Sequence, residues 1–408
     1  MKRHHSQLEA ASRRGTLMPV FAMVILVVCV AAALVFDRLW LDAARIELTA
    51  SAEAAALAAA GRLADDDRLR TNADTDAIIE AARLTAAAIA ADNRVAGHPV
   101  QLDASPEGDI RFGVVTEEPT TGEPIFIETN HNPTSVIVKA QAVRSRGNGV
   151  ALFFRQLTGV HTGNVVSYAE ATIDNRVIGF RSLLNAKVPA FPLGILESDT
   201  TNSREDTWQR QIVEQQGQDL FGYDDTTHTV TNGPDGLREI VLTYETPSSH
   251  VSTNSTDNET GKTPPNFQII DLGTGLFEDE CRRQILEGLS EDDLANLGGE
   301  FVLAGTPLPI DGLSSMLPDV RKELAQMIGH KRICVLYQDD GVGSQSGISR
   351  LRATQLVAGR ILAINGDEST RTEIVFQPTV VSTRTAIVEP SIPAELANPY
   401  IFKLNLTH

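Results

Sequence analysis

Cysteine, aromatic residues, positive charge and long apolar runs are all scarce in this chain. Three cysteines cannot staple 408 residues, so buried apolar surface must hold the fold together. Lys and Arg number 35 against 53 Asp and Glu, a net charge of −18, which argues against nucleic acid as the main partner. Only one long uncharged stretch occurs, so a many-spanning membrane protein is excluded. Aromatic residues make up 5% and say nothing about what the surface binds. The nine histidines are scattered: there is no H-E-x-x-H, no Cys-His cluster and no phosphate-binding G-x-x-x-x-G-K-[ST] loop. What remains is 42% apolar and 22% charged, the balance of a globular chain long enough for two or three domains of roughly 150 residues.

The uncharged stretch is Thr16–Phe36, 21 residues. As a helix it is about 31 Å long, the thickness of a bilayer's hydrocarbon core. Pro19 falls in the first turn, where its missing N–H costs nothing. Lys2, Arg3, Arg13 and Arg14 precede the stretch against a single Glu9, and the acidic excess follows it. Positive charge therefore keeps the tail cytoplasmic and sends the long C-terminal part across the membrane. The competing reading is a cleaved secretory signal with Ala31 and Ala33 as its cleavage motif, but the apolar run is long for a signal and continues past that point. A retained single-pass signal-anchor is expected.

The helix is expected to continue outside the membrane. Asp37–Gly61 contains no proline and is dominated by alanine and leucine. Leu39, Ala43, Ile46, Ala50, Ala54 and Leu57 recur at steps of three and four as one apolar packing stripe. That stripe suits either the domain's own core or another molecule. Arg38/Asp42 and Asp42/Arg45 stand at pairing distance on a second stripe.

Arg13-Arg14-Gly15, the apolar run with its early proline, Phe36-Asp37-Arg38-Leu39 and Glu47–Ala60 (ELTASAEAAALAAA) follow one another in order. Over Arg13–Ala60 this resembles the N-terminal segment of TadE/TadG-like proteins of bacterial Flp (Tad) pilus-assembly systems. Thr49, Ala50 and Ser51 depart from the family's usual Gln-Asn-Ala, and Glu53 stands in place of Asp. The resemblance implies a bitopic inner-membrane protein whose exported part assembles or anchors a surface fibre. Pilin-type subunits of such systems carry a glutamate five residues after the cleaved glycine; here Val20 stands five beyond Gly15, beside Pro19, which favours the uncleaved, TadG-like kind.

Beyond the rod the sequence predicts an α+β protein. Residues 1–15 form a basic tail, 16–36 the membrane helix and 37–97 an alanine-rich helical region with a second helix at Thr75–Asn93. Residues 98–196 form a β-rich, pilin-like antiparallel module with strands at Asp109–Thr116, Pro124–Thr129, Ser135–Arg144, Gly149–Leu157 and Val165–Ile173. Residues 197–265 read as a polar linker with a hairpin strand at Leu237–Tyr244, and 266–408 as a second α+β domain. Ser290, with Asp293 three residues on, marks a helix start. Cys281 and Cys334 pair as a disulfide in an oxidising periplasm or stay as buried thiols; sequence leaves both open.

No candidate for chemistry outlasts its plainer reading. Asp271-Leu-Gly-Thr-Gly275 has glycine at both positions where the metal-binding D-x-S-x-S turn of von Willebrand A domains has serine, so it reads as a strand-to-helix turn. Asp339-Asp340-Gly341 reads as a solvated turn. The serines of Gly343–Gly347 miss the central position of G-x-S-x-G. Asn254, Asn258 and Asn405 head glycosylation sequons without meaning in a bacterium. The expectation is a non-enzymatic, membrane-anchored periplasmic component of a Tad/Flp-like pilus assembly or secretion apparatus, without cofactor, metal or small-molecule substrate. Its partners would be the inner membrane and the assembly platform or pilin subunits. The alternative is an anchored adhesion or binding protein of the bacterial envelope that shares only the N-terminal module.

Overall fold

The computed structural model describes residues 17–118, 121–199, 201, 203–245, 265–303, 305–313, 320–339, 347–366, 371–393 and 396–407. It is a mixed α+β protein with a long N-terminal helix and a β-rich body. Helix α1 (Leu17–Leu63) runs unbroken for 47 residues, about 70 Å, and is followed by α2 (Thr75–Asp92). Then come β1 (Ile110–Glu117), β2 (Pro124–Glu128), β3 (Ser135–Ala142), the short α3 (Arg155–Thr158), β4 (Val165–Asp174), β5 (Val177–Arg181) and β6 (Ala190–Leu196). The hairpin β7 (Phe221–Asp224) and β8 (Thr229–Asn232) precedes β9 (Ile240–Glu245) and β10 (Phe267–Ile270). Helices α4 (Glu278–Glu287) and α5 (Glu291–Ala295), strands β11 (Glu300–Val302) and β12 (Leu308–Leu313), and α6 (Val320–Gln326) follow. The chain continues with β13 (Lys331–Asp339), the 18-residue β14 (Ile348–Asn365), β15 (Arg371–Pro378), β16 (Val381–Ser382), β17 (Ala386–Val388) and β18 (Ile401–Thr407).

Two larger sheets organise these strands. One has the order β16-β18-β4-β3-β1-β2. The other has the order β9-β15-β14-β12-β10-β6-β13, and β14 also pairs with β13. That extra pairing closes β14, β12, β10, β6 and β13 into a ring. The length of β14 makes this possible: Ile348–Ala353 pair with β12, Leu351–Arg360 with β13 and Gly359–Asn365 with β15. Strand β6 (AFPLGIL) is buried at every position, the signature of a strand covered on both faces. It lies parallel to β13 and antiparallel to β10.

Three expectations need correction. Only Val150–Ala151 of the predicted strand Gly149–Leu157 is extended; Phe153 and Phe154 lie in a turn that leads into α3. The supposed linker is folded up to Glu245. Trp208 is 2% exposed against Phe376 and Tyr400, and β9 pairs with β15. The Asn266 side chain ties this stretch down, donating to Asp206 O and Val241 O and accepting from Thr243 N–H. Finally, the sheet built by residues 266–408 also takes in β6 and β9 from outside that range. The polar extreme at 246–264 lies outside the described residues.

Contacts gather the chain into two compact units. The first holds residues through Ala56 with Ala86–Arg111 and Ile137–Ala169. Its core is built of small side chains, Ala44, Ala52 and Ala55 of α1 with Ala86, Ala90, Val138 and Ala140. Asp109 is its main buried charge, bidentate with Arg146 and bonded to Gln141 Nε2 (2.9 Å) and the Asp103 N–H (2.8 Å). The second unit, Leu57–Thr85, Phe112–Val136 and Glu170–His408, contains the strand ring. There Asp66 meets the buried Arg360, Lys331 Nζ (2.9 Å) and the Val380 N–H (2.7 Å), and Arg360 stacks 4.2 Å from the centre of the Tyr223 ring.

Candidate functional site

Helix α1 is where the sequence places function, and its faces differ. Between Asp37 and Leu63 the buried positions are Asp37, Ala44, Leu48, Ser51, Ala52, Ala55, Ala56, Ala59, Ala60 and Leu63. The predicted packing stripe lies largely on the opposite side. Leu39 is 60% and Ile46 72% exposed, Ala43 and Ala50 are exposed, and Ala54 and Leu57 are half-buried. The buried face is mostly alanine, which lets the helix backbone come close to its neighbours, with Leu48 and Leu63 filling the wider gaps, while Leu39 and Ile46 stay out.

Specific bonds fix this rotation. Thr49 Oγ1 bonds to Ser167 Oγ on β4 at 2.8 Å and donates to Arg45 O, so Thr49 holds helix to strand. Glu47 Oε2 accepts from the Ala96 N–H at 2.8 Å. The predicted pairs Arg38–Asp42 and Asp42–Arg45 form at 3.3 and 3.9 Å; both are exposed and stabilise little.

At the end of the apolar run Asp37 Oδ1 accepts from the Phe153 N–H (2.9 Å) and the Phe154 N–H (3.3 Å), and Trp40 Nε1 donates to Ala151 O (3.2 Å). Sequence reasoning missed this clasp. Its one available signal was a carboxylate and an indole placed just past an uncharged span.

The other predicted residues divide as follows. Lys2, Arg3, Arg13 and Arg14 lie outside the described residues, as do Asp340–Ser346, Asn254 and Asn258. Cys281 on α4 and Cys334 on β13 are buried free thiols, not bonded to each other. Burial, aided by Asp271 and Glu280, pushes the Cys281 thiol up to about 11, and burial raises Cys334 as well. Asp271 Oδ1 accepts the N–H groups of Gly273 and Gly275, both at 2.8 Å, and so closes its turn on itself. Gly273 has φ +110°, and a Cβ there would meet Asp293 O at 2.0 Å, so the glycine is required. Among the described residues no group of three or more His, Cys, Asp or Glu is placed to hold a metal.

The second unit carries a cleft of about 720 Å³ lined by polar side chains such as Arg68, Asn132, Thr172 and Asn405 and by apolar ones such as Ile173 and Phe402. Two of its hydroxyls, Thr172 and Thr407, bond at 3.0 Å, and the fully buried Ser135 bonds to Thr172 at 2.8 Å. Arg68 donates to Leu63 O and Pro133 O and lies over the Phe402 ring, and burial lowers its pKa. No family model, curated protein or solved structure matches the chain.

Proposed function

We propose that this protein is a single-pass, TadG-like component of a Tad/Flp-like pilus assembly or secretion apparatus, its body exported to the periplasm and acting by contact. The observation that carries the reading is α1. Its first twenty residues form a bare apolar helix of bilayer length, and the same helix then becomes the spine of a folded unit. Leu39, Ala43, Ile46 and Ala50 remain uncovered on that spine, so the stripe is the face available to a fibre subunit or platform protein. A basic tail before the span sets the orientation. The test is Ala50→Arg, an exposed position, assayed for fibres and for membrane insertion. Fibres should be lost while the protein stays folded and membrane-bound; normal fibres remove the stripe from the mechanism.

A second reading, an anchored binding or adhesion protein, is favoured by the cleft around Thr172 and Asn405. It reverses the mutational pattern: Asn405→Arg abolishes function and Ala50→Arg leaves it intact.

A further inference from the structure

Residues 152–160 (LFFRQLTGV) carry four large apolar side chains that the unit does not bury: Phe153 is 67% exposed, and Phe154, Leu157 and Val160 are exposed too. A water-soluble surface rarely groups them so. They stand beside the end of the apolar half of α1, since Phe36 lies 6.3 Å from Phe154 and Trp40 5.1 Å from Phe153, ring centre to ring centre. Much of the loop's backbone is already paired, Arg155 and Gln156 at the start of α3 being the N–H groups without a partner among the described residues. Leu152 N–H donates to His161 O, those of Phe153 and Phe154 to Asp37, those of Leu157 and Thr158 to Phe154 O, and that of Gly159 to Arg155 O. Such a segment can settle at the wet edge of a bilayer with few donors to orphan, and unpaired donors are the main cost of entering lipid.

We propose that this loop is a second membrane contact, lying in the interface of the leaflet where α1 emerges, with Phe153, Phe154, Leu157 and Val160 among the acyl chains. Aromatic side chains concentrate at that depth, where an apolar ring meets a wet boundary. Arg155, exposed on the same short helix, reaches the lipid phosphates with its long stem. Asp37 and Trp40 clasp the loop to the emerging helix, so two points of attachment fix the rotation and tilt of the unit over the membrane. The proposal rests on α1 being the span, and the experiment separates the two.

Full-length protein carrying Cys29→Ser is reconstituted in phosphatidylcholine–phosphatidylglycerol vesicles. Single cysteines are introduced as Leu26→Cys, Phe153→Cys or His98→Cys and labelled with bimane. Cys281 and Cys334, buried, stay unlabelled and report that the fold is intact. Nitroxide on the lipid chains should quench the probes at 26 and 153 at least twofold, while aqueous iodide should quench only the probe at 98. A probe at 26 quenched by lipid with one at 153 that follows 98 overturns the proposal and leaves the anchor standing. A probe at 26 open to iodide overturns both. Val160→Cys repeats the measurement if Phe153→Cys does not fold.

Discussion

The two halves of α1 differ in how much of themselves they bury. From Met18 to Phe36 the large apolar side chains face outward and only Ala33 is buried. From Asp37 to Leu63 one face is buried, mostly alanine with Leu48 and Leu63, while Leu39, Ala43, Ile46 and Ala50 face out. One helix thus follows two rules, one over a stretch long and apolar enough to cross a membrane and one over a stretch packed in a fold. In lipid, bulk on the outside is favourable and nothing needs covering. Against a sheet, close approach of backbones selects small residues.

The sharpest break of this comparison is a charge placed on each face of the packed half. Ala52→Arg forces a guanidinium into a site 1% exposed and should destabilise the first unit by on the order of 3 kcal/mol or more, seen as proteolysis in detergent at ordinary temperature. Ala50→Arg, two residues away but exposed, should stay within about 0.5 kcal/mol of the parent. Equal effects would mean that the helix is not rotated as described.

Next in size is Asp66→Ala. It leaves Arg360, 2% exposed, with the longer pair to Asp225 (3.4 Å) and the Tyr223 ring, and should cost about 3 kcal/mol in thermal or denaturant unfolding. Smaller again is the pH response of Asp109. Burial pushes its pKa up, but the bonds from Arg146, the Asp103 N–H and Gln141 outweigh that and hold it below the ordinary carboxylate value. A carboxylate depressed in the folded state contributes its stability above the unfolded value of about 4 and loses it as pH falls through the folded one. The melting temperature should therefore decline below about pH 4, and Asp109→Asn should start lower and flatten that decline. The smallest expected change is a thiol count: in protein carrying Cys29→Ser, maleimide should modify neither Cys281 nor Cys334 while the protein is folded in detergent, and both once it is denatured without reductant.

Local signals were legible in the sequence. The uncharged span, the continuation of the helix and α2 all announce themselves by composition and period. So does the start of α5, where Ser290 and Asp293 cap each other in a reciprocal pair. The rotation of α1 was not legible, because the alanine run at 54–60 offers little contrast between faces, and the stripe marked by Leu39 and Ile46 suited the core and another molecule equally. Nor was the strand pairing. β18 returns to lie against β4, Lys403 opposite Asp174, and β6 joins β13 across more than a hundred residues. Nothing in either segment's own pattern names such a distant partner. The turn at Phe153 and Phe154 was misread because aromatic residues favour strands unless something else, here Asp37, takes up the backbone.

The most direct test of the account is external protease on spheroplasts followed by membrane fractionation. The account predicts that the body is digested from outside while an N-terminal fragment containing the span remains in the membrane. Full protection, or release of an intact soluble body lacking the first 33 residues, would contradict it.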